Sequence, residues 1–279
     1  MKLSSNSLYI VSTPIGNLDD ITLRAISILK SSDIILCEDT RRSLKLLNHF
    51  KIKKKLISYH KFNETKKVSK IIEYINQGKI LSLISDAGTP LLSDPGRILV
   101  NKCIENKIKI VPIPGVSSII TAMSVSGFRD QFLFYGFLPK TANELKKKLA
   151  YLSEYQYVQI FFIPALKINF YLSQFKQYFS GRKILIAKEL TKIHEFFFRE
   201  DVDEMKLFNS KIKGELTVII SEKNIKKKVF NEEKIVNKAK KYLKKYSLRD
   251  TVELIVESEK INKKEVYKLC LKLKNENFF

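Results

Sequence analysis

The sequence predicts an α/β protein built from two α/β domains, with a small helical extension at its C-terminal end. Three observations carry this. Short apolar runs alternate with helix-period segments over the first 130 residues, the same alternation restarts after a linker, and the last 56 residues turn purely helical and lysine-rich. At about 100–200 residues per domain, 279 residues accommodate this division into 1–130, 131–223 and 224–279.

Each element has a local reason. Leu8–Ser12, Asp33–Cys37, Lys55–Ser58, Ile80–Ser85 and Lys109–Val111 are short and rich in β-branched or apolar residues, as strands covered on both faces are. Between them Thr22–Lys30, Arg42–Phe50, Glu64–Gln77 and Gly96–Glu105 carry apolar residues at helical spacing, and Gly78 is placed to end the third. Strand–helix–strand repetition predicts a mainly parallel sheet. A helix at Val116–Ser126 and a linker at 127–131 follow. Strands are then expected at Phe132–Gly136, Val158–Ile163, Arg182–Lys188, His194–Arg199 and Glu215–Ile220, with helices at Asn143–Leu152 and Ile168–Phe179. The adjacent pair 182–188 and 194–199 predicts a hairpin, hence a mixed sheet. Lys226-Lys227-Lys228 opens the final segment, where helices are expected at Glu232–Lys245, Leu248–Glu257 and Lys263–Lys274.

Composition narrows the class. Hydrophobic residues make up 44% of the chain, enough for a core, and no apolar run approaches the roughly 18–20 residues that span a bilayer. Met1 to Ser7 lacks the pattern of a secretory signal, so a cytoplasmic protein is expected. Cys37, Cys103 and Cys270 are far apart and form no CxxC pair, which points to small buried side chains and to no metal site. The formal net charge of +22 suits a polyanionic partner, although the dominance of lysine over arginine also matches AT-rich coding.

Four loops at predicted strand ends hold the unusual residues, and ligands of such sheets bind beyond the carboxyl ends of strands. Ser12–Asp20 contains Pro14 and Gly16, a turn whose amides could cradle a ligand. It is neither a GxGxxG turn nor a P-loop. Glu38-Asp39-Thr40-Arg41-Arg42 pairs two carboxylates with two guanidinium groups, and Arg41 suits a phosphate by its planar fork. Asp86, Gly88 and Thr89 lie in a run of small and turn-forming residues, and Ser117 and Ser118 follow Pro114-Gly115 where a strand gives way to a helix. Each loop alone is also compatible with ordinary turns and helix caps.

Taken in order, TPIGNLDDITLRA (13–25), EDTRR (38–42), LISYHKFNE (56–64), SDAGTPLLSDPG (85–96), PIPGVSSIITAMSVSG (112–127), FYGFLPK (134–140), KELTKIHEFFFR (188–199) and KGE (213–215) resemble the tetrapyrrole methylase superfamily. Within it they are similar to the branch of bacterial small-subunit rRNA cytidine 2′-O-methyltransferases. The resemblance implies two α/β domains with S-adenosylmethionine in the cleft between them, a homodimer, and ribosomal RNA or the small subunit as partner. It implies cofactor contacts from Pro14, the Asp86–Thr89 loop, Ser117 and Ser118, and from Phe162, Ile163, Leu190 and Leu216 of the second domain. One departure stands out. The family's usual Tyr-Glu-(Ala or Ser)-Pro-His-Arg run reads Phe162-Ile163-Pro164-Ala165-Leu166-Lys167 here.

Methyl transfer to a ribose hydroxyl needs in-line alignment and a path for the proton. The expected acceptor-side groups are Asp39, Arg41, Glu189, Lys192 and His194. Arg41 and Lys192 are expected on phosphate, and Glu189 or Asp39 near the hydroxyl. A tetrapyrrole carbon methyltransferase and a non-catalytic RNA-binding relative are the competing functions.

Overall fold

The computed structural model describes residues 4–210, 212, 214–223, 232–259 and 261–275. The chain separates into two compact units, Met1–Lys223 and Asn224–Phe279. Among the described residues no helix is long and apolar enough to cross a membrane.

The first sheet holds β1 (Ser7–Val11), β2 (Ile34–Cys37), β3 (Lys55–Ser58), β4 (Ile80–Leu83) and β5 (Lys109–Ile113), all parallel in the order β3-β2-β4-β1-β5. Every residue of β1 and β2 is buried. Period-two alternation divides them between two cores. Leu8, Ile10, Ile34 and Leu36 face one layer with α3 (Glu64–Asn76) and α4 (Arg97–Glu105). Tyr9, Val11, Ile35 and Cys37 face the other with α1 (Leu23–Ser31) and α2 (Thr40–His49). The helices start where side chains take up orphan amides: the Thr22 side chain accepts from the Ala25 amide, and Asp39 accepts from that of Arg41.

The second sheet holds β6 (Phe132–Phe137), β7 (Val158–Pro164), β8 (Lys183–Lys188), β9 (Phe196–Asp201) and β10 (Glu215–Ile220) in the order β6-β7-β10-β8-β9. Only β6 and β7 are parallel, and β8–β9 form the expected antiparallel pair. One face packs on α6 (Ala142–Ser153) and α7 (Ile168–Tyr178) through Phe161, Ile163, Phe175 and Val218. The opposite face, with Ile160, Leu185 and Ile219, is covered by Ile119 and Ala122 of α5 (Ser118–Ser124). That helix follows β5, so the first half of the chain supplies the lid over the second sheet. The fold class read from sequence is therefore borne out.

The last unit comprises α8 (Glu232–Leu243), α9 (Leu248–Glu259) and α10 (Lys263–Asn275) around Ile235, Val252, Ile255, Val266 and Leu273. Glu259 is 7% exposed and is held by Lys238 Nζ at 2.6 Å and Lys234 Nζ at 3.1 Å. The Lys226–Lys228 run lies outside the described residues.

One strand begins later than expected. Residues 189–195 form a turn, and β9 starts at Phe196 rather than His194. The Glu195 carboxylate accepts the Thr191 amide at 2.7 Å, and Glu189 and Thr191 take φ of 54° and 62°. This left-handed backbone cannot continue a strand.

Candidate functional site

The four loops are stitched into one structure. Thr13 and Gly88 exchange both backbone hydrogen bonds, at 2.9 and 3.0 Å, which joins the loop after β1 to the loop after β4. The Ser12 and Thr89 hydroxyls lie 3.1 Å apart, and Thr89 Oγ1 donates to the Val116 carbonyl, which brings in the loop after β5. Asp86 anchors the loop after β2: its Oδ1 accepts the Asp39 amide at 3.1 Å and its Oδ2 meets Arg42 Nη1 at 3.2 Å.

These loops form one wall of a cleft of about 620 Å³. Phe137, Phe162, Ala187, Leu190, Leu216 and Thr217 of the second sheet and its turns form the other. The walls meet where Gly16 approaches the 189–192 turn and the Asn17 amide donates to Thr191 Oγ1 at 3.0 Å. A Cβ on Gly16 would lie 2.5 Å from the Leu190 carbonyl oxygen. Strained backbone concentrates here, since Leu91 and Ser93 (φ 72° and 70°) join Glu189 and Thr191 in the left-handed region. A smaller cavity of about 350 Å³ lies between residues 126–128 and the β8–β9 pair, and it contains none of the four loops.

Charge in the cleft is uneven. Burial pushes the Asp94 carboxyl up to about 6, and the nearby Glu38 charge adds to the effect. Burial also raises Glu38, with Asp86 contributing. Asp39 is the opposite case. Arg41 donates from Nε and Nη2 at 3.1 and 2.7 Å and from its amide at 2.9 Å, and these bonds hold the carboxyl well below its usual range. Glu189 Oε1 is 3.2 Å from Lys192 Nζ.

Of the expected site residues, Asp86, Gly88, Thr89, Ser117, Ser118, Phe162, Glu189, Leu190, Lys192 and Leu216 line this one cleft. Pro14 and Gly16 flank Ile15, whose side chain lines it. Ile163 does not face it. The alternation that points Phe162 into the cleft turns Ile163 into the α6–α7 core, where it is fully buried. Asp39 and Arg41 sit outside the lining, paired with each other, and His194 is exposed on the 189–195 turn. Glu38, Arg42, Ser93, Asp94 and Phe137 line the cleft without having been singled out. The signal for Glu38 and Arg42 was present in the EDTRR run, whereas Asp94 reads as a plain turn residue.

The lining fits S-adenosylmethionine. Glu38 and Asp86 offer carboxylates to an ammonium and to ribose hydroxyls, and Ile15, Phe137, Phe162 and Leu216 offer an apolar bed for a purine. Gly88 takes φ 79°, and a Cβ there would stand 3.2 Å from Ile15 Cγ2 and crowd the wall.

Residues 7–206 match the family described as Tetrapyrrole (Corrin/Porphyrin) Methylases. The chain is 45% identical over 275 residues to the ribosomal RNA small subunit methyltransferase I of Rickettsia prowazekii, covering 96% of this chain and 98% of that one. It is 44% identical over 233 residues to the protein of the same name from Mesomycoplasma conjunctivae, covering 82% and 98%. Among solved structures, the methyltransferase CobJ aligns with a TM-score of 0.60 at 15% identity, over 77% of this chain and 94% of that one. Uroporphyrin-III C-methyl transferase from Thermus thermophilus, complexed with S-adenyl homocysteine, aligns with a TM-score of 0.55 at 13% identity, over 77% and 97%. At such identities these structures establish a shared fold.

Proposed function

The chain belongs to the tetrapyrrole (corrin/porphyrin) methylases, and on that premise we propose that it methylates a cytidine ribose 2′-hydroxyl in the decoding region of small-subunit ribosomal RNA, with S-adenosylmethionine as donor. Near-full-length identity to proteins named for small-subunit rRNA methylation supports the substrate class. The observation that carries the site is the cleft itself, where four loops of one sheet and the turns of another converge on a single space.

When bound, the donor supplies an electrophilic methyl group on sulfur. The protein's part is to bind, orient and receive a proton. Asp86 and Glu38 would hold the donor's cationic and hydroxyl groups, Ser117 and Ser118 lie on the same wall, and Phe162 and Leu216 would pack its apolar part. Pro14 and Gly16 shape the floor. Arg41 and Lys192 reach the RNA backbone, and His194 stands beside Lys192 on the same exposed turn.

The proton acceptor is better assigned to Asp94 than to Asp39 or Glu189. Both of the latter already face a cation, at 2.7 and 3.2 Å. Asp94 lines the cleft with a carboxyl at about 6, close to the pH at which a base both exists and binds protons well. The altered 162–167 run removes no charged group that this scheme uses. Residues 1–130 and 131–223 act as the two catalytic domains and 224–279 as a basic extension, in a cytoplasmic homodimer.

The test is methyl transfer from labelled donor to small ribosomal subunits lacking the modification, followed by mapping of the product. A 2′-O-methylcytidine in the decoding region is expected. Transfer to a porphyrinoid and not to RNA would assign the chain to tetrapyrrole chemistry instead.

A further inference from the structure

Phe62 is 87% exposed at the end of a turn that is anything but loose. The turn follows β3, whose end is registered against that of β2 by the Cys37–Ser58 pairing and by the Tyr59 amide donating to the Cys37 carbonyl at 2.7 Å. It therefore emerges beside Glu38 of the cleft, close enough that His60 acts on the Glu38 charge. Asn63 knots it. Its Oδ1 accepts the His60 amide at 2.9 Å, its Nδ2 donates to the Ser58 carbonyl at 3.3 Å, and its own amide donates to the His60 carbonyl at 2.9 Å. The Phe62 amide donates to His60 Nδ1 at 3.2 Å, and the two rings meet edge to face, 6.0 Å between centroids. The turn thus holds an aromatic ring out in water, where its one ring contact is with His60 and most of its surface stays uncovered.

Lys61 and Lys66 are exposed on the same turn and the helix it starts. Arg41, Arg42 and Lys45 are exposed on α2, which follows the paired strand β2, with Arg41 bridged to Asp39 and Arg42 to Asp86. An aromatic face among cations at the rim of a cleft matches an unpaired nucleotide, with its base on the ring and its phosphates on the cations. A second copy of the chain, itself strongly basic, matches the charge less well.

We propose that Phe62, backed by His60, is a stacking shelf for an unpaired RNA base next to the modified nucleotide. The proposal rests on the RNA reading of the cleft. It predicts a substrate whose target lies in single-stranded or opened RNA, because a paired base keeps its faces covered.

The chain contains no tryptophan, so Phe62→Trp creates a unique reporter. The full-length protein is titrated with an unpaired RNA dodecamer of mixed sequence, with the same strand in duplex, and with an abasic strand of equal charge. The expected result is saturable quenching by the unpaired strand and little by the other two. Phe62→Ala is expected to weaken unpaired-strand binding by roughly five- to a hundredfold, with donor affinity and Tm unchanged, and Phe62→Tyr to restore it. Equal quenching by the abasic strand, or Phe62→Ala binding within twofold of the parent, overturns the shelf. So does a variant that becomes monomeric with intact RNA binding, which would mark a self-association surface. Methyl transfer by the parent to small subunits is measured alongside. If it proceeds while Phe62 is indifferent, the shelf alone is wrong; if it is absent, the RNA reading falls and the shelf with it.

Discussion

The Gly16 α-carbon and the Leu190 carbonyl oxygen approach so closely that a Cβ on Gly16 would stand 2.5 Å from that oxygen. Lys192 Cγ and Thr191 Oγ1 would lie 2.6 and 2.8 Å away. A single hydrogen atom is all the space allows where the two walls of the cleft meet. The nearest obstacle is backbone, which cannot rotate aside. Gly16→Ala is therefore expected to cost about 1–3 kcal/mol of stability and to lower donor affinity at least tenfold by spreading the walls. Thermal unfolding and calorimetric titration with S-adenosylmethionine check both. An unchanged Tm and affinity would mean that the contact relaxes freely.

Asp94 yields a prediction with a definite sign in pH. Its carboxyl stands at about 6 against an ordinary 3.8, because burial and the Glu38 charge disfavour the ionised form. Folding therefore binds a proton that the unfolded chain releases, and Asp94 subtracts stability as pH rises from about 4 through 6. Asp94→Asn should raise Tm at pH 7.5, and the gain should vanish below pH 4. The same substitution should lower kcat by about 10²–10⁴-fold and abolish a rise in rate centred near pH 6, if the group accepts the proton. A variant with full turnover and the parent's pH profile would return the assignment to Glu189 or Asp39.

Much of this was legible in sequence, for reasons that differ between elements. β1 and β2 announce themselves because both faces are buried and every residue is apolar or small. The β8–β9 pair was visible as two adjacent runs, but its start was not. The left-handed conformations at Glu189 and Thr191 fall on residues with no intrinsic preference for them, and only contact with Gly16 and Asn17 makes sense of that turn. The strand order β3-β2-β4-β1-β5 is likewise a tertiary property, and with it the neighbourhood of Glu38, Asp86 and Asp94. Ile163 shows a further limit. A motif names two neighbouring residues, but a strand points only one of them at a given face.

Arg41 separates phosphate contact from donor binding. Its side chain is 87% exposed and reaches Asp39 without entering the cleft. Arg41→Ala should leave donor affinity unchanged, weaken RNA binding, and reduce the slope of log affinity against log salt by about 1. Filter binding at several salt concentrations supplies the slope. Loss of donor affinity in this variant would show instead that the Asp39–Arg41 pair holds the loop after β2 in shape.

Glu259 offers a test confined to the C-terminal unit. Its carboxylate, at the end of α9, receives Lys238 and Lys234 of α8 and is held down to about 2 from an ordinary 4.5. A lowered value in the folded state means that the ionised form stabilises. The contribution is fully present above about pH 4.5 and is lost as pH falls toward 2. Removing the carboxylate's charge leaves two lysines facing each other across a buried amide. Glu259→Gln should thus increase amide hydrogen exchange across α8, α9 and α10 at pH 7 while exchange in β1, β2 and β4 stays as in the parent. Donor affinity should be preserved, because the residues that line the cleft belong to the first unit. Uniform loss of protection in both units would show that the two unfold as one, and unchanged protection would show that the apolar contacts of Ile235, Val252 and Val266 suffice without the ion pairs.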